Sequence, residues 1–161
     1  MPNSVRPIPE GYHSLTPYLT VNDAARAIEF YQRAFGAKKI VQMDGPQGKI
    51  SHAELKIGDS ILMLSDEMPG GTRSPKSLGG STVGIFLYVE NVDSVFKQAQ
   101  SAGAKVDAPL ENMFWGDRFG KLTDPFGHSW ALATHIEDVA PQEMQKRARE
   151  ATAKRQPQPV G

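Results

Sequence analysis

The sequence predicts an α+β fold built from two βαβββ modules, and three observations carry that expectation. The stretch from Tyr18 to Ile40, YLTVNDAARAIEFYQRAFGAKKI, is echoed from Phe86 onward as FLYVENVDSVFKQAQSAGAKV. In each copy a short alternating strand ends in an Asn-bearing cap, a helical stripe follows, and Gly-Ala-Lys leads into another strand. The copies begin about 68 residues apart, beyond the roughly 20–50 residues of a solenoid repeat. Finally, residues 67–80 (EMPGGTRSPKSLGG) are rich in Gly, Pro and Ser and read as a linker between modules. The expected organisation is an N-terminal arm (1–13), a first module (14–66), the linker (67–80), a second module (81–139) and a polar C-terminal helix or tail (140–161).

Bulk properties narrow the classes. The 161 residues suit one domain or two small modules sharing a core. Eighteen basic residues balance eighteen acidic ones, so no global field draws nucleic acid or an anionic membrane. The absence of cysteine excludes a disulfide framework, a thiolate nucleophile and a Cys-ligated zinc. No apolar run approaches a signal h-region or a membrane span. The expectation is a cytoplasmic protein.

Three prolines and a glycine in residues 1–13 predict an extended or disordered arm. Residues 15–21 alternate with period two, giving a strand, and Pro17 places it at an edge or a bulge because it cannot donate to a ladder. Asn22 or Asp23 caps a helix whose stripe is Ala24, Ala27, Ile28, Tyr31 and Phe35, and Gly36 stops it. Strands follow at 39–43 and 50–57, and Gly58-Asp59 turns the chain into a strand at 60–65. In the second module Asn91 caps a helix with stripe Val92, Val95, Phe96 and Ala99, stopped by Gly103. A strand at 105–108, an aromatic loop at 111–116, a strand at 117–123, the turn 124–127 and a last strand at 129–135 complete it. Beyond Pro141 the chain is polar and basic with no apolar stripe to anchor a helix, and residues 157–161 should fray.

Strand parity sorts the side chains. Leu19/Val21, Leu62/Leu64, Leu87/Val89 and Trp130/Leu132 form the layer beneath the helices. The other parity carries Thr16, Tyr18, Thr20, His52, Glu54, Met63, Ser65, Gly84, Phe86, Tyr88, Ala131, Ala133 and His135. If these faces curve toward each other they enclose a cup, partly apolar with a few polar groups, as ligand sites are.

The segments TPYLTVNDAARAIEFYQRAFGA, HAELKIGDSILMLSDE, LYVENVDSVFKQAQSAGAKV and GDRFGKLTDPFGHSWALATHIEDV together resemble the vicinal oxygen chelate superfamily, and most closely its PhnB-like branch. That superfamily spans glyoxalase I, bleomycin-resistance proteins and extradiol dioxygenases. The resemblance covers residues 15–139 and implies paired βαβββ modules, a U-shaped mixed sheet around a cup, and usually a homodimer. It implies no single activity. The metalloenzymes of the superfamily carry a ligand on the first and last strand of each module, which by this resemblance fall at Thr16, Met63, Gly84 and Ala131. None is a His, Glu or Gln, so the expected cofactor and metal content is none.

Candidate chemistry remains. His52 and Glu54 share a strand face with Cβ atoms roughly 7 Å apart, and are the candidate catalytic residues: half of a relocated metal site, or a base and its orienter. The bland alternative is a solvated face or an ordinary ion pair. His135 has the same parity and is a possible third member, whereas His128 belongs to an exposed turn. In the cluster Phe114-Trp115-Gly116-Asp117-Arg118, Trp115 can cover a flat ligand and Arg118 can pair with its carboxylate or phosphate. Alternatively, the aromatics plug the cup while Asp117 and Arg118 pair locally. The expected ligand-binding set is Tyr18, His52, Glu54, Met63, Phe86, Tyr88, Trp115 and Arg118. The leading expectation is a protein that binds a small organic molecule in its cup without the usual divalent metal. The alternatives are a lyase-, isomerase- or dioxygenase-type enzyme using His52, Glu54 and His135, and a dimeric scaffold without ligand. No nucleic-acid or membrane partner is expected.

Overall fold

Two four-stranded sheets with the same connectivity make up the computed structural model, which describes residues 5–155. The first contains β1 (Tyr18–Val21), β2 (Lys38–Asp44), β3 (Ile50–Ile57) and β4 (Ser60–Asp66) in the order β1-β4-β3-β2. The second repeats it with β5 (Gly84–Tyr88), β6 (Lys105–Asn112), β7 (Asp117–Thr123) and β8 (Ser129–His135), in the order β5-β8-β7-β6. In each sheet the first and last strands pair in parallel and the other pairs are antiparallel. The expected α+β fold of two βαβββ units is thus present.

Local chemistry explains the helices. Asp23, in extended conformation, accepts from the Arg26 amide and caps α1 (Ala24–Phe35); Gly36, at φ 65°, closes it in the left-handed region. Asn91 caps α3 (Val92–Ala102) through the Ser94 amide. Each helix lies on the apolar parity of its own sheet, and α1 and α3 pack on each other, so one core serves both modules. Leu19, Val21, Leu62, Leu64, Trp130 and Leu132 are buried there as expected, joined by Phe30 and Ala34 of α1.

Two buried carboxylates tie this core to the loops. Asp66 accepts from the amides of Ala24 and Ile50, each at 2.8 Å, joining the start of α1 to β3. Asp124 organises the turn before β8. One of its oxygens accepts from the amides of Phe126 and His128 at 2.9 Å. The other takes the Tyr31 hydroxyl at 2.6 Å and the Trp130 indole N–H at 2.9 Å. Tyr31 belongs to the first module, so Asp124 bonds the modules together.

The structure departs from the sequence reading at one turn and at one strand end, and it adds detail to the linker and the C-terminal helix. The turn histidine His128 is buried, with Nε2 hydrogen-bonding the Thr20 carbonyl of β1 at 3.0 Å. The turn folds back toward the first module, so polar character alone misplaced it at the surface. The strand expected at 105–108 runs on to Asn112, because two register shifts on this edge strand absorb Pro109. The linker is packed. Ser74 and Pro75 are buried, Ser74 caps the short α2 (Pro75–Leu78), and Glu67 accepts from the Ser74 amide. Hydrogen bonds from the Ser77 side chain, then from Ser74, hold the Glu67 carboxyl down at about 2. Last, α4 (Pro141–Arg155) is a helix anchored by a side chain instead of a stripe. Arg147 reaches Glu137 at 2.8 and 3.0 Å and the Phe114 carbonyl at 3.4 Å. The fraying expected at 157–161 lies outside the described residues.

Candidate functional site

The sheet faces turned away from the helices differ in chemistry. On the first, the β3–β4 register sets Glu54 beside Met63 and the β1–β4 register sets Tyr18 beside Met63. His52 is two residues before Glu54 on the same side. Its Nε2 lies 2.9 Å from Glu54 Oε1 and its Nδ1 lies 3.0 Å from the Tyr18 hydroxyl. The remaining Glu54 oxygen accepts from the hydroxyl of Tyr12, delivered by the N-terminal arm. Hydrogen bonds from His52 and then Tyr12 keep the buried Glu54 carboxyl below its ordinary range. The sequence reading paired His52 with Glu54 and missed Tyr12, since no periodicity links an arm residue to a strand 42 positions away.

The second face is aromatic. Phe86 packs on Tyr88 (ring centroids 4.9 Å) and on Phe119 (5.7 Å), Phe119 meets Trp115 (5.4 Å), and Trp115 meets Phe114 (5.1 Å). Phe119 was not among the expected residues, although the parity of β7 carries the signal. At one end lies Asp117, 2% exposed, accepting from Tyr88 (2.9 Å), the Trp115 indole (3.0 Å) and His135 Nδ1 (2.8 Å). Burial raises the Asp117 carboxyl, but these three donors outweigh it and leave it below its usual value. His135 is raised, first by its bond to Asp117 and then by that to Asp138 at 2.8 Å.

Two expectations for this cluster need correction. Arg118 has the opposite parity to Asp117 and forks onto Asp93 of α3 with both contacts at 2.7 Å, away from the aromatic face. Both nitrogens of His135 are committed to Asp117 and Asp138, so it does not join the His52–Glu54 pair by a hydrogen bond.

Between the modules runs a groove of about 1020 Å³. Tyr18 and Thr20 of β1 with Ser65 of β4 form one bank, Val83 just before β5 and Ile85 within it the other, and Thr72, Arg73, Pro75 and Leu78 of the linker close it. A second hollow of about 400 Å³ lies between Trp115 and Phe119 on one side and Ala151 and Thr152 of α4 on the other. Tyr18, Phe86 and Tyr88 are 50, 48 and 60% exposed, so the expected cup walls stand open in a single chain.

This architecture is matched by a family model, the Glyoxalase/Bleomycin resistance protein/Dioxygenase superfamily, over residues 12–132. The chain belongs to that superfamily. An uncharacterised protein of Mycobacterium tuberculosis is 45% identical over 136 residues, covering 82% of this chain and 80% of its own. Among solved structures, TioX of a Micromonospora species aligns with a TM-score of 0.62 at 26% identity, over 77% of this chain and 99% of its own. The PhnB protein of Bacillus cereus aligns at 0.59 with 21% identity, over 76% and 99%, a likeness of fold.

By the resemblance drawn from the sequence, the metal-ligand positions of this superfamily's enzymes fall at Thr16, Met63, Gly84 and Ala131. Met63 lies beside Tyr18 and Ala131 beside Phe86, while Gly84 opens β5 and Thr16 precedes β1. A thioether, a hydroxyl and two residues without side-chain donors do not fit a hard or borderline divalent ion. Among the described residues no three His, Asp or Glu side chains are grouped to hold one elsewhere.

Proposed function

We propose that this protein binds a small, flat organic molecule in a cup walled by the open aromatic face of its second sheet, without the divalent ion of its metalloenzyme relatives, and does so as a cytoplasmic homodimer. The observation that carries the reading is the aromatic run Tyr88–Phe86–Phe119–Trp115 on an open sheet face. Offset and edge-on aromatic contacts of this kind are worth about 0.5–1.5 kcal/mol beyond the area they bury. A half-exposed wall with its polar atoms gathered on one buried carboxylate gains most from a ligand that covers the rings and leaves that carboxylate satisfied. Association of two chains would supply a facing wall, since Tyr18 and Met43 on the first sheet are also about half exposed, at 50 and 53%.

The test is a metabolite screen by ligand-observed NMR with the full chain, followed by titration of each hit against Tyr88→Ala and Trp115→Ala. Each substitution should weaken binding at least tenfold. If both variants bind every hit as the parent does, the wall is not the site. Sedimentation velocity reads the oligomeric state, and a monomer at micromolar concentration would remove the dimer from the proposal. A second reading, an enzyme with a relocated site, draws support from the His52–Glu54 pair. Stoichiometric metal in purified protein, lost on His52→Ala, would favour it over metal-free binding.

A further inference from the structure

The groove between the modules holds polar groups that the aromatic wall does not use; Phe86, Tyr88, Trp115 and Phe119 take no part in lining it. Its polar corner is built around Thr20. The β1–β4 register sets Ser65 beside Thr20, and the Thr20 hydroxyl bonds that of Thr72. The Thr20 carbonyl takes Nε2 of His128 at 3.0 Å. Ser65 and His128 are each 8% exposed, and both line the groove. Ser65 Oγ and His128 Nδ1 have no hydrogen-bond partner among the described residues, yet no polar side-chain atom there is both fully buried and unpartnered. Both atoms therefore open onto the groove. Polar groups this deep call for a partner, and a ligand can supply it.

The direction of each bond sets what that partner must be. A carbonyl only accepts, so the ring proton sits on His128 Nε2, and Nδ1 of the neutral imidazole is an acceptor. Of the two bonded threonine hydroxyls, one accepts and keeps its own proton to donate. The Ser65 hydroxyl can donate too. The corner thus asks for a group that donates at one atom and accepts at another close by. A primary carboxamide does both, through its NH2 and its carbonyl oxygen, whereas a carboxylate of the same shape turns a lone pair toward Nδ1. Around the corner, Pro17, Pro75, Leu78, Val83 and Ile85 give apolar walls for the rest of the molecule. Arg73 also lines the groove, but one of its N–H groups is held by the Ser77 carbonyl at 2.7 Å. The Glu67 carboxyl, lowered first by Ser77 and Ser74, is lowered further by the Arg73 charge, so that cation already has an anion nearby.

We propose that this groove is a second binding site, separate from the aromatic cup, for a small uncharged molecule carrying a primary carboxamide on an apolar body. The carboxamide nitrogen donates to His128 Nδ1 and its oxygen accepts from the Ser65 hydroxyl, with the Thr20–Thr72 pair as a further donor. Specificity comes from the tautomer. The Thr20 carbonyl fixes the proton on Nε2, and with it the demand for a donor opposite Nδ1. Discrimination of an amide from the acid of the same shape is then a property of one backbone carbonyl on β1, transmitted through the buried ring.

The experiment titrates nicotinamide and benzamide into the isotope-labelled full chain at mildly alkaline pH, followed by backbone amide NMR, with nicotinate and benzoate as the matching acids. The two amides should shift the signals of Thr20, Ser65, Thr72 and His128 and bind at least tenfold more tightly than the acids. Ser65→Ala and His128→Gln should each weaken amide binding about fivefold or more. Gln keeps an N–H for the Thr20 carbonyl while removing the acceptor at Nδ1, and an unchanged fingerprint away from the groove excludes misfolding in either variant. Tyr88→Ala, on the aromatic wall, should leave binding of both amides as it is in the parent. The proposal is overturned if the acids bind as tightly as the amides, or if Ser65→Ala and His128→Gln both bind as the parent does. It is overturned too if neither amide gives saturable shifts up to millimolar concentration. Shifts confined to Phe86, Tyr88, Trp115 and Phe119 overturn the groove site while leaving the cup reading in place.

Discussion

Replacing Asp124 by Asn tests how much of the fold depends on one carboxylate. In the structure it is 3% exposed and accepts four hydrogen bonds, from the amides of Phe126 and His128, the Tyr31 hydroxyl and the Trp130 indole. An amide in its place keeps one oxygen for the turn amides and turns its NH2 toward the other two partners. Tyr31 can rotate its hydroxyl to accept, but an indole N–H only donates, so Trp130 loses its partner at a site where it is 1% exposed. A buried donor left unsatisfied costs about 1–3 kcal/mol, and exchanging charged for neutral acceptors costs about 1 kcal/mol more per surviving bond. The relief of burying an amide in place of a carboxylate offsets part of that, leaving a loss of about 3 kcal/mol. For a chain of this size the corresponding drop in Tm is about 6–12 °C. Urea unfolding followed by circular dichroism gives the free energy directly. Tyr31→Phe alone should cost about 1.5–3 kcal/mol. The double variant should fall short of additivity by about 1 kcal/mol or more, because the two residues share one bond. A loss below 1 kcal/mol for Asp124→Asn, or strict additivity with Tyr31→Phe, would refute the assignment of Asp124 as the hub between the modules.

Other expectations follow from single contacts. His135 has its pKa raised by Asp117 and Asp138. Its contribution to stability is therefore complete below the unfolded imidazole value of about 6.5 and is lost as pH rises through the higher folded value. NMR titration of the imidazole should show the elevation, and Asp117→Asn should reduce it. Gly116 sits at φ 99°, and a Cβ there would collide with the Glu137 carbonyl oxygen, so Gly116→Ala should destabilise by about 2 kcal/mol or more, read by thermal melts. Arg147→Ala removes the bonds to Glu137, Glu143 and the Phe114 carbonyl. It should release α4, seen as faster amide hydrogen exchange in Pro141–Arg155 with little change in the rest of the chain.

Local pattern accounted for the elements and for which side of each strand meets a helix. The period-two alternation of Leu62 and Leu64, the caps at Asp23 and Asn91 and the stops at Gly36 and Gly103 act over a few residues, so the amino-acid order alone displays them. The repeat of that order also made the doubled connectivity legible. Which polar groups meet is another matter. Tyr12 reaches Glu54, Tyr31 reaches Asp124, His128 reaches Thr20 and Arg118 turns to Asp93, across separations of 42, 93, 108 and 25 residues. Those partnerships depend on how α1 packs against α3 and on where the arm and the turns return. Such long-range placement arises from burial of the whole core, a non-directional force summed over both modules that leaves no period in the chain. Sequence alone therefore determined the two-module architecture and the character of its two faces. Tertiary packing decided which side chains act together on them.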